Sequence, residues 1–152
     1  MNTRREFVVI GAASVAVPLY AAPSFFTPAE ASLVEIVTGH IIPKDDTPGA
    51  IEAGVVHYID RQLAGPLNRF APLYREGLPA FEPLRQLDSS GQLSFLNEVE
   101  KGTRGASAAR LFNVLIDHTM QGFYGSPAHG GNQDEVSWKM LGVQNVMGGH
   151  AH

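Results

Sequence analysis

Along most of the chain, apolar side chains recur at intervals of three and four residues, which is the spacing of α-helices that bury one face. The first such segment carries signals for a helix start. Thr27 suits the N-cap, Pro28 the first helical position and Glu30 the third position of a capping box. A second segment, residues 50–63, has the same spacing and ends before a Gly-Pro pair. The pattern therefore predicts two helices in the first part of the chain.

The middle of the chain keeps the apolar spacing but contains several prolines. Residues 66–87 include Pro72, Pro79 and Pro83, and they are predicted to form one or two bent helices, because a proline removes a backbone donor from a helix. Ser89, with Gln92 three residues later, predicts a second capping box. The helix that it opens extends through the apolar positions that follow, as far as Gly102.

Two further helices are predicted near the end of the chain. Residues 107–122 form the most apolar segment, and residues 135–141 suggest a short last helix. No sustained strand alternation and no internal repeat is visible in the sequence. We therefore expect an all-α fold, a single small helical domain of about five helices over residues 23–152, preceded by a separate N-terminal segment.

Residues 1–22 have the order of an export signal rather than of a folded element. Arg4 and Arg5 precede an apolar run over residues 7–20, and two alanines follow. This run is short compared with the roughly 20 residues of a membrane-spanning helix. The stretch TRREFVV resembles a twin-arginine translocation signal. Cleavage after Ala21 or Ala22 and retention as a membrane anchor both remain open.

The composition and the net charge of the chain exclude several classes of function. The chain has 152 residues, a formal net charge of −4 and no basic run or stripe, so we expect no nucleic-acid partner. It contains no cysteine, which excludes disulfides, thiolate metal or iron–sulfur sites, a cysteine nucleophile and c-type haem attachment. It also has no dinucleotide-binding or phosphate-binding glycine motif. We therefore predict no catalytic residue and no cofactor site in this chain.

The histidines offer a second interpretation. Two of the six, His118 and His129, lie in or beside the glycine-rich segment near the end of the chain, and His150 and His152 lie at its end. A metal site needs side chains that converge, usually from positions three or four apart on a helix. A buried or capping role for His118 is the simpler reading. A stand-alone helical protein that binds a metal or small ligand through these histidines remains the alternative.

The segment FYGSPAHGGN, residues 123–132, combines aromatic side chains with glycines that allow close backbone approach. Asn132 can cap the next helix or take a left-handed conformation. Aromatic anchors of this kind either dominate interfaces or cover the domain's own core. The candidate partner-binding residues are Phe123, Tyr124, His129, Gly130, Gly131, Asn132 and Trp138.

Three stretches resemble the small subunit (subunit 3) of gluconate 2-dehydrogenase and related periplasmic sugar and polyol dehydrogenases. Residues 27–65 resemble the opening pair of helices of that family, with an IIPKDD turn and an EAGVVHYID segment. SSGQLSFLNEVEKG resembles its middle helix. HTMQGFYGSPAHGGNQDEVSWKMLG resembles its closing signature and is the most specific of the three stretches.

The resemblance implies a complex of several subunits. A large flavoprotein subunit binds FAD and oxidises a sugar, polyol or sugar acid, and a multihaem cytochrome c subunit passes the electrons on. The small subunit binds the flavoprotein and carries it, already folded, through the twin-arginine translocase to the periplasm. The resemblance also favours an interface role for the glycine-rich segment. We therefore expect a non-catalytic, periplasmic subunit that is associated with the membrane through its complex or through an uncleaved signal.

Overall fold

The computed structural model describes residues 24–143, and this part of the chain contains six α-helices and no strand. The all-α prediction is confirmed. The helices are α1 (Pro28–Ile41), α2 (Val55–Leu63), α3 (Ala71–Gly77), α4 (Ser89–Glu100), α5 (Ala106–Tyr124) and α6 (Val136–Met140). Four 3₁₀ segments connect them, at Asn68–Phe70, Leu78–Gln86, Pro127–His129 and Gln133–Glu135. The predicted signal segment, with Arg4 and Arg5, lies outside the described residues, as do His150 and His152.

The start of α1 confirms the predicted capping box. The Thr27 hydroxyl accepts a hydrogen bond from the backbone N–H of Glu30 at 3.2 Å, and the Glu30 carboxylate accepts one from the backbone N–H of Thr27 at 2.8 Å. The chain just before this helix is attached to α2, because the backbone N–H of Phe26 donates to the Asp60 carboxylate at 2.8 Å. Local capping and this long-range bond together position α1.

The second helix begins later than the sequence pattern predicts. Residues 50–54 form turns, and α2 begins at Val55 because Gly54 has a left-handed backbone with φ of 67°. Such a residue cannot continue a right-handed helix, and glycine takes this conformation without a steric penalty. Ile51, an apolar residue in the segment predicted to be helical from residue 50, lies in these turns and is 50% exposed. The apolar spacing holds from Val55 onward, where Ile59 and Leu63 are buried.

The proline-rich middle segment is one short α-helix between two 3₁₀ segments. Leu78–Gln86 is 3₁₀ throughout and contains Pro83, and its buried side chains include Phe81 and Leu84. Asp88 caps α4 by accepting from the backbone N–H of Gly91 at 2.8 Å, so the capping box predicted at Ser89 is wrong. The Gln92 side chain instead donates to the carbonyl oxygens of Leu84 and Leu87.

The longest helix, α5, is the centre of the domain. It contacts α1, α2, α3 and α4, and its inner face contributes Leu111, Leu115 and Phe123 to a single hydrophobic core. It extends two residues beyond the predicted end at residue 122, to Tyr124. The last turn of α5 therefore includes the first residues of the glycine-rich segment, and it lies beside α2.

Candidate functional site

Residues 125–135, which we call the closing loop, connect α5 to α6 and contain most of the glycine-rich segment. The loop begins at Gly125, whose backbone N–H still donates to the Gln121 carbonyl at 2.9 Å. Ser126 then caps the short 3₁₀ segment Pro127–His129 by accepting from the N–H of Ala128 at 3.3 Å. Local hydrogen bonds therefore define the conformation of the first half of the loop.

Asn132 is fully buried, and its side chain forms hydrogen bonds with residues at both ends of the closing loop. Its side-chain N–H donates to the Gly125 carbonyl at 2.9 Å. Its side-chain oxygen accepts from both the backbone N–H and the hydroxyl of Ser137, at 3.0 and 2.9 Å. The residue has a left-handed backbone with φ of 44°, a conformation that asparagine tolerates better than most residues. Asn132 therefore joins the first residue of the loop to the first turn of α6.

The closing loop packs against α2 and the turn that precedes it. The backbone N–H of Gln133 donates to the Ala53 carbonyl at 3.0 Å, and the Arg61 guanidinium donates to the Ala128 carbonyl at 3.0 Å. Gly131 is buried so closely that a methyl group there would collide with the Gly122 carbonyl oxygen. The segment around Ala53 and Gly54 and the closing loop, far apart in sequence, thus form one structural unit.

Trp138 links α6 to the end of α5 through a hydrogen bond. Its indole N–H donates to the backbone carbonyl of Tyr124 at 2.9 Å, and the tryptophan is half-buried. Tyr124 itself is 39% exposed, whereas the neighbouring Phe123 is in the core, with its ring edge-to-face to that of Tyr124 at 4.9 Å. Adjacent aromatic residues therefore face in different directions at this point.

The structure divides the seven candidate partner-binding residues by accessibility. Tyr124 and His129 are exposed, and Gly130 and Trp138 are partly accessible. The other three are buried and shape the loop from within: Phe123, Gly131 and Asn132. A partner can thus contact the first four residues, while the last three hold them in place.

A groove runs between the closing loop and the exposed side of α2. It has a volume of about 1160 Å³, and Ser24 lies at its rim. Sequence analysis did not identify α2 as a wall of this groove. The available signal was the four-residue interval between His57 and Arg61, which places two exposed polar side chains on one face of a helix. The polar lining comprises His57, Asp60, Arg61, His129, Gln133 and Asp134.

His118 lies in the core and is turned toward α3. It is 3% exposed, its Nδ1 atom shares a hydrogen bond with the Tyr74 hydroxyl at 2.9 Å, and the Phe70 ring packs edge-on against it at 5.0 Å. Burial lowers the pKa of His118, an effect that nearby Asp117 opposes and Arg69 reinforces. Burial likewise raises the pKa of Tyr74. The pair is a polar link inside the core, as the simpler sequence reading of His118 predicts.

Two further properties concern the described part of the chain. Within residues 24–143, no three histidine, aspartate or glutamate side chains are grouped so that they could hold a metal ion. Over the same residues, no helix combines the length and the apolar character that a membrane crossing requires. The apolar run over residues 7–20 lies outside this range.

Comparison with known proteins gives one match. Residues 28–144 match the family described as gluconate 2-dehydrogenase subunit 3, a range that includes every described helix and the whole closing loop. Neither a curated protein nor a solved structure matches the chain significantly. The matched range covers most of the chain and confirms the resemblance noted in its sequence. The chain therefore belongs to the gluconate 2-dehydrogenase subunit 3 family, which implies that it is a subunit of a multi-subunit dehydrogenase.

Proposed function

We propose that this protein is the non-catalytic small subunit of a membrane-associated, FAD-dependent dehydrogenase that acts on a sugar, polyol or sugar acid. In this proposal it binds the large flavoprotein subunit and escorts it through twin-arginine export to the periplasm. The family match supports the subunit role. FAD belongs to the partner, and a multihaem cytochrome c subunit accepts the electrons.

The observation that carries the docking role is the construction of the closing loop. Both the side-chain nitrogen and the side-chain oxygen of Asn132 form hydrogen bonds, to Gly125 and Ser137, and the loop is further bonded to α2 and to the turn before it. A loop held in this way keeps one conformation before a partner arrives, so little ordering entropy opposes binding. Tyr124, His129 and Trp138 are then presented as pre-positioned contacts, of which the aromatic residues have the side chains most common among binding hot spots.

The export role rests on Arg4 and Arg5 and on the chemistry of the proposed partner. Twin-arginine export, as the resemblance implies, carries proteins that have already folded. This chain has no cofactor motif of its own that would require cytoplasmic loading. A flavoprotein subunit loads its FAD in the cytoplasm and would therefore need export in the folded state. If this chain binds that subunit before export, the dehydrogenase activity is found in the periplasm.

The direct test is recovery of the partner from native cells. The chain, tagged at its C-terminus, is isolated gently from periplasmic and membrane fractions, and the visible absorption spectrum and the co-purifying proteins are recorded. We expect the absorption of an oxidised flavin together with a large FAD-binding subunit, and reduction of that flavin by a sugar or polyol. A colourless protein that is recovered alone, even after crosslinking in intact cells, would refute the proposal. Metal bound to untagged protein would instead favour the histidine-based alternative.

A further inference from the structure

Four large apolar side chains follow one another at four-residue intervals along α5, and three of them are at least partly accessible. We call this row, Phe112, Ile116, Met120 and Tyr124, the α5 stripe. Residues four apart lie one above the other on a helix. Exposure increases toward the closing loop, from 8% at Phe112 to 44% at Met120 and 39% at Tyr124. Phe112 and Ile116 pack in or against the hydrophobic core, whereas Met120 and Tyr124 leave apolar surface that the core does not cover.

The buried end of the α5 stripe opens into a small apolar groove. The groove has a volume of about 260 Å³, and its apolar walls include Phe112 and Ile116 from the stripe, Ile41 from α1 and Leu93 from α4. Its polar lining residues are His40, Asn97 and Glu100. Leu93 is 53% exposed, although it lies on a helix whose other apolar side chains are buried. The stripe and the groove therefore form one continuous apolar track across the surfaces of α4 and α5.

The dimensions of this track suit a helix. From Phe112 to Tyr124 the stripe advances by twelve residues, which corresponds to roughly 18 Å of helix axis. A row at intervals of four residues is also the ridge that packs into the groove of a second helix in the commonest type of helix pair. A partner helix with its own apolar stripe could lie along α5, in the helix-in-groove manner.

The exposed area argues against a second copy of this chain as the occupant. Tyr124 and Met120 are less than half exposed, so together with Leu93 they offer roughly 300 Å² of accessible surface. A stable interface buries about 800 Å² on each partner. The track alone is therefore too small for a homodimer. It suits a partner that also binds a neighbouring surface, and the closing loop is such a surface, because it begins at the residue after Tyr124.

We infer that the α5 stripe receives an apolar helix of the large dehydrogenase subunit, and that this contact and the closing loop form one continuous interface. The inference rests on the proposed function, since it assigns a docking surface within the same complex. It adds Met120 and the Leu93 groove to the interface, neither of which belongs to the glycine-rich segment.

The test places the photocrosslinker p-benzoylphenylalanine at Met120 in the full chain, expressed in native cells. A matched chain carries it at Arg110, which is exposed on the same helix but lies roughly 80° around the helix axis from Met120 and faces Glu76 of α3. We expect a crosslink to the large flavoprotein subunit from position 120 and none from position 110. A crosslink from position 120 to a second copy, or to another part of the same chain, would overturn the inference.

Affinity gives an independent readout. Met120→Glu is expected to lower recovery of the flavoprotein at least about tenfold, whereas Arg110→Gln, on the side of α5 that faces Glu76, should leave recovery unchanged. Both variants should melt at the same temperature as the wild-type chain, since both positions are exposed. Unchanged recovery with Met120→Glu would overturn the inference while leaving the proposed function intact. Failure of the wild-type chain to recover any flavoprotein would overturn both.

Discussion

The buried side-chain oxygen of Asn132 accepts two hydrogen bonds from Ser137, one from the backbone N–H at 3.0 Å and one from the hydroxyl at 2.9 Å. Both residues are completely inaccessible to solvent. A single asparagine thus determines where α6 sits relative to the closing loop, and with it the position of Trp138. The docking surface that we propose depends on this buried link.

Asn132→Ala is expected to lower the free energy of unfolding by about 2–4 kcal/mol, because it leaves buried donors of Ser137 without an acceptor. Urea denaturation of the purified chain measures the change. Asn97→Ala is the matched control, since Asn97 is exposed on α4, and it should change stability little. A loss below about 1 kcal/mol for Asn132→Ala would show that the loop does not depend on this link.

Gly131→Ala tests the close packing between the closing loop and α5. A methyl group at this position would meet the Gly122 carbonyl oxygen and the Tyr58 side chain, so we expect a loss of about 1–3 kcal/mol. Gly65→Ala is the control, because a methyl group there would lie 3.5 Å from its nearest neighbour, the Arg61 carbonyl oxygen. Equal stability of the two variants in urea would contradict the packing seen here.

The buried His118 should make stability depend on pH. Burial lowers its pKa in the folded state from the usual value of 6.5, so below that pH the unfolded chain binds the proton more readily than the folded one. Stability is therefore fully present above pH 6.5 and falls as the pH decreases through this value. Urea midpoints measured between about pH 7.5 and about pH 5.5 should show the loss.

His118→Gln removes the titrating group but can keep a hydrogen bond to Tyr74. We expect this variant to lose less stability than the wild type over the same pH interval, although its absolute stability is lower at the higher pH. His129→Gln, at an exposed position, should retain the wild-type dependence on pH. If His118→Gln and wild-type protein have the same slope, another group is responsible.

Trp138→Ala is predicted to weaken co-purification of the flavoprotein subunit at least about fivefold, because it removes an aromatic contact of the proposed interface. Trp138→Phe keeps a ring but loses the hydrogen bond to the Tyr124 carbonyl, and it should retain more of the partner. Co-purification is measured beside thermal denaturation of the isolated chain. Full recovery of the partner with a less stable Trp138→Ala chain would indicate that the tryptophan only packs against its own domain.

Replacement of both Arg4 and Arg5 by lysine should leave this chain and the dehydrogenase activity of its partner in the cytoplasm. Lysine keeps the charge but not the planar guanidinium group, and the two side chains are not interchangeable where a receptor reads that group. Activity in periplasmic and cytoplasmic fractions measures the effect. The complex should still assemble in the cytoplasm. Activity that reaches the periplasm normally would rule out the escort role.

Several local features could be predicted from the sequence because neighbouring residues determine them. The capping box of Thr27 and Glu30 needs only residues three apart, and the apolar spacing in α5 reports a helix wherever it occurs. The same reasoning was wrong about Ser89, because Asp88 competes for the cap one residue earlier and Gln92 has distant partners. It also began α2 too early, because spacing alone does not reveal the left-handed backbone of Gly54.

The sequence by itself determined the helical class, the family and the presence of a glycine-rich segment with aromatic residues, since each depends on residue types at short or fixed intervals. Only the tertiary structure decided which residues of that segment face outward. Phe123 and Tyr124 are adjacent in sequence, yet one is buried and the other exposed. Which of the two side chains is buried depends on where α2 and α6 pack against the end of α5. The spacing of apolar residues within one segment does not predict how distant segments pack together.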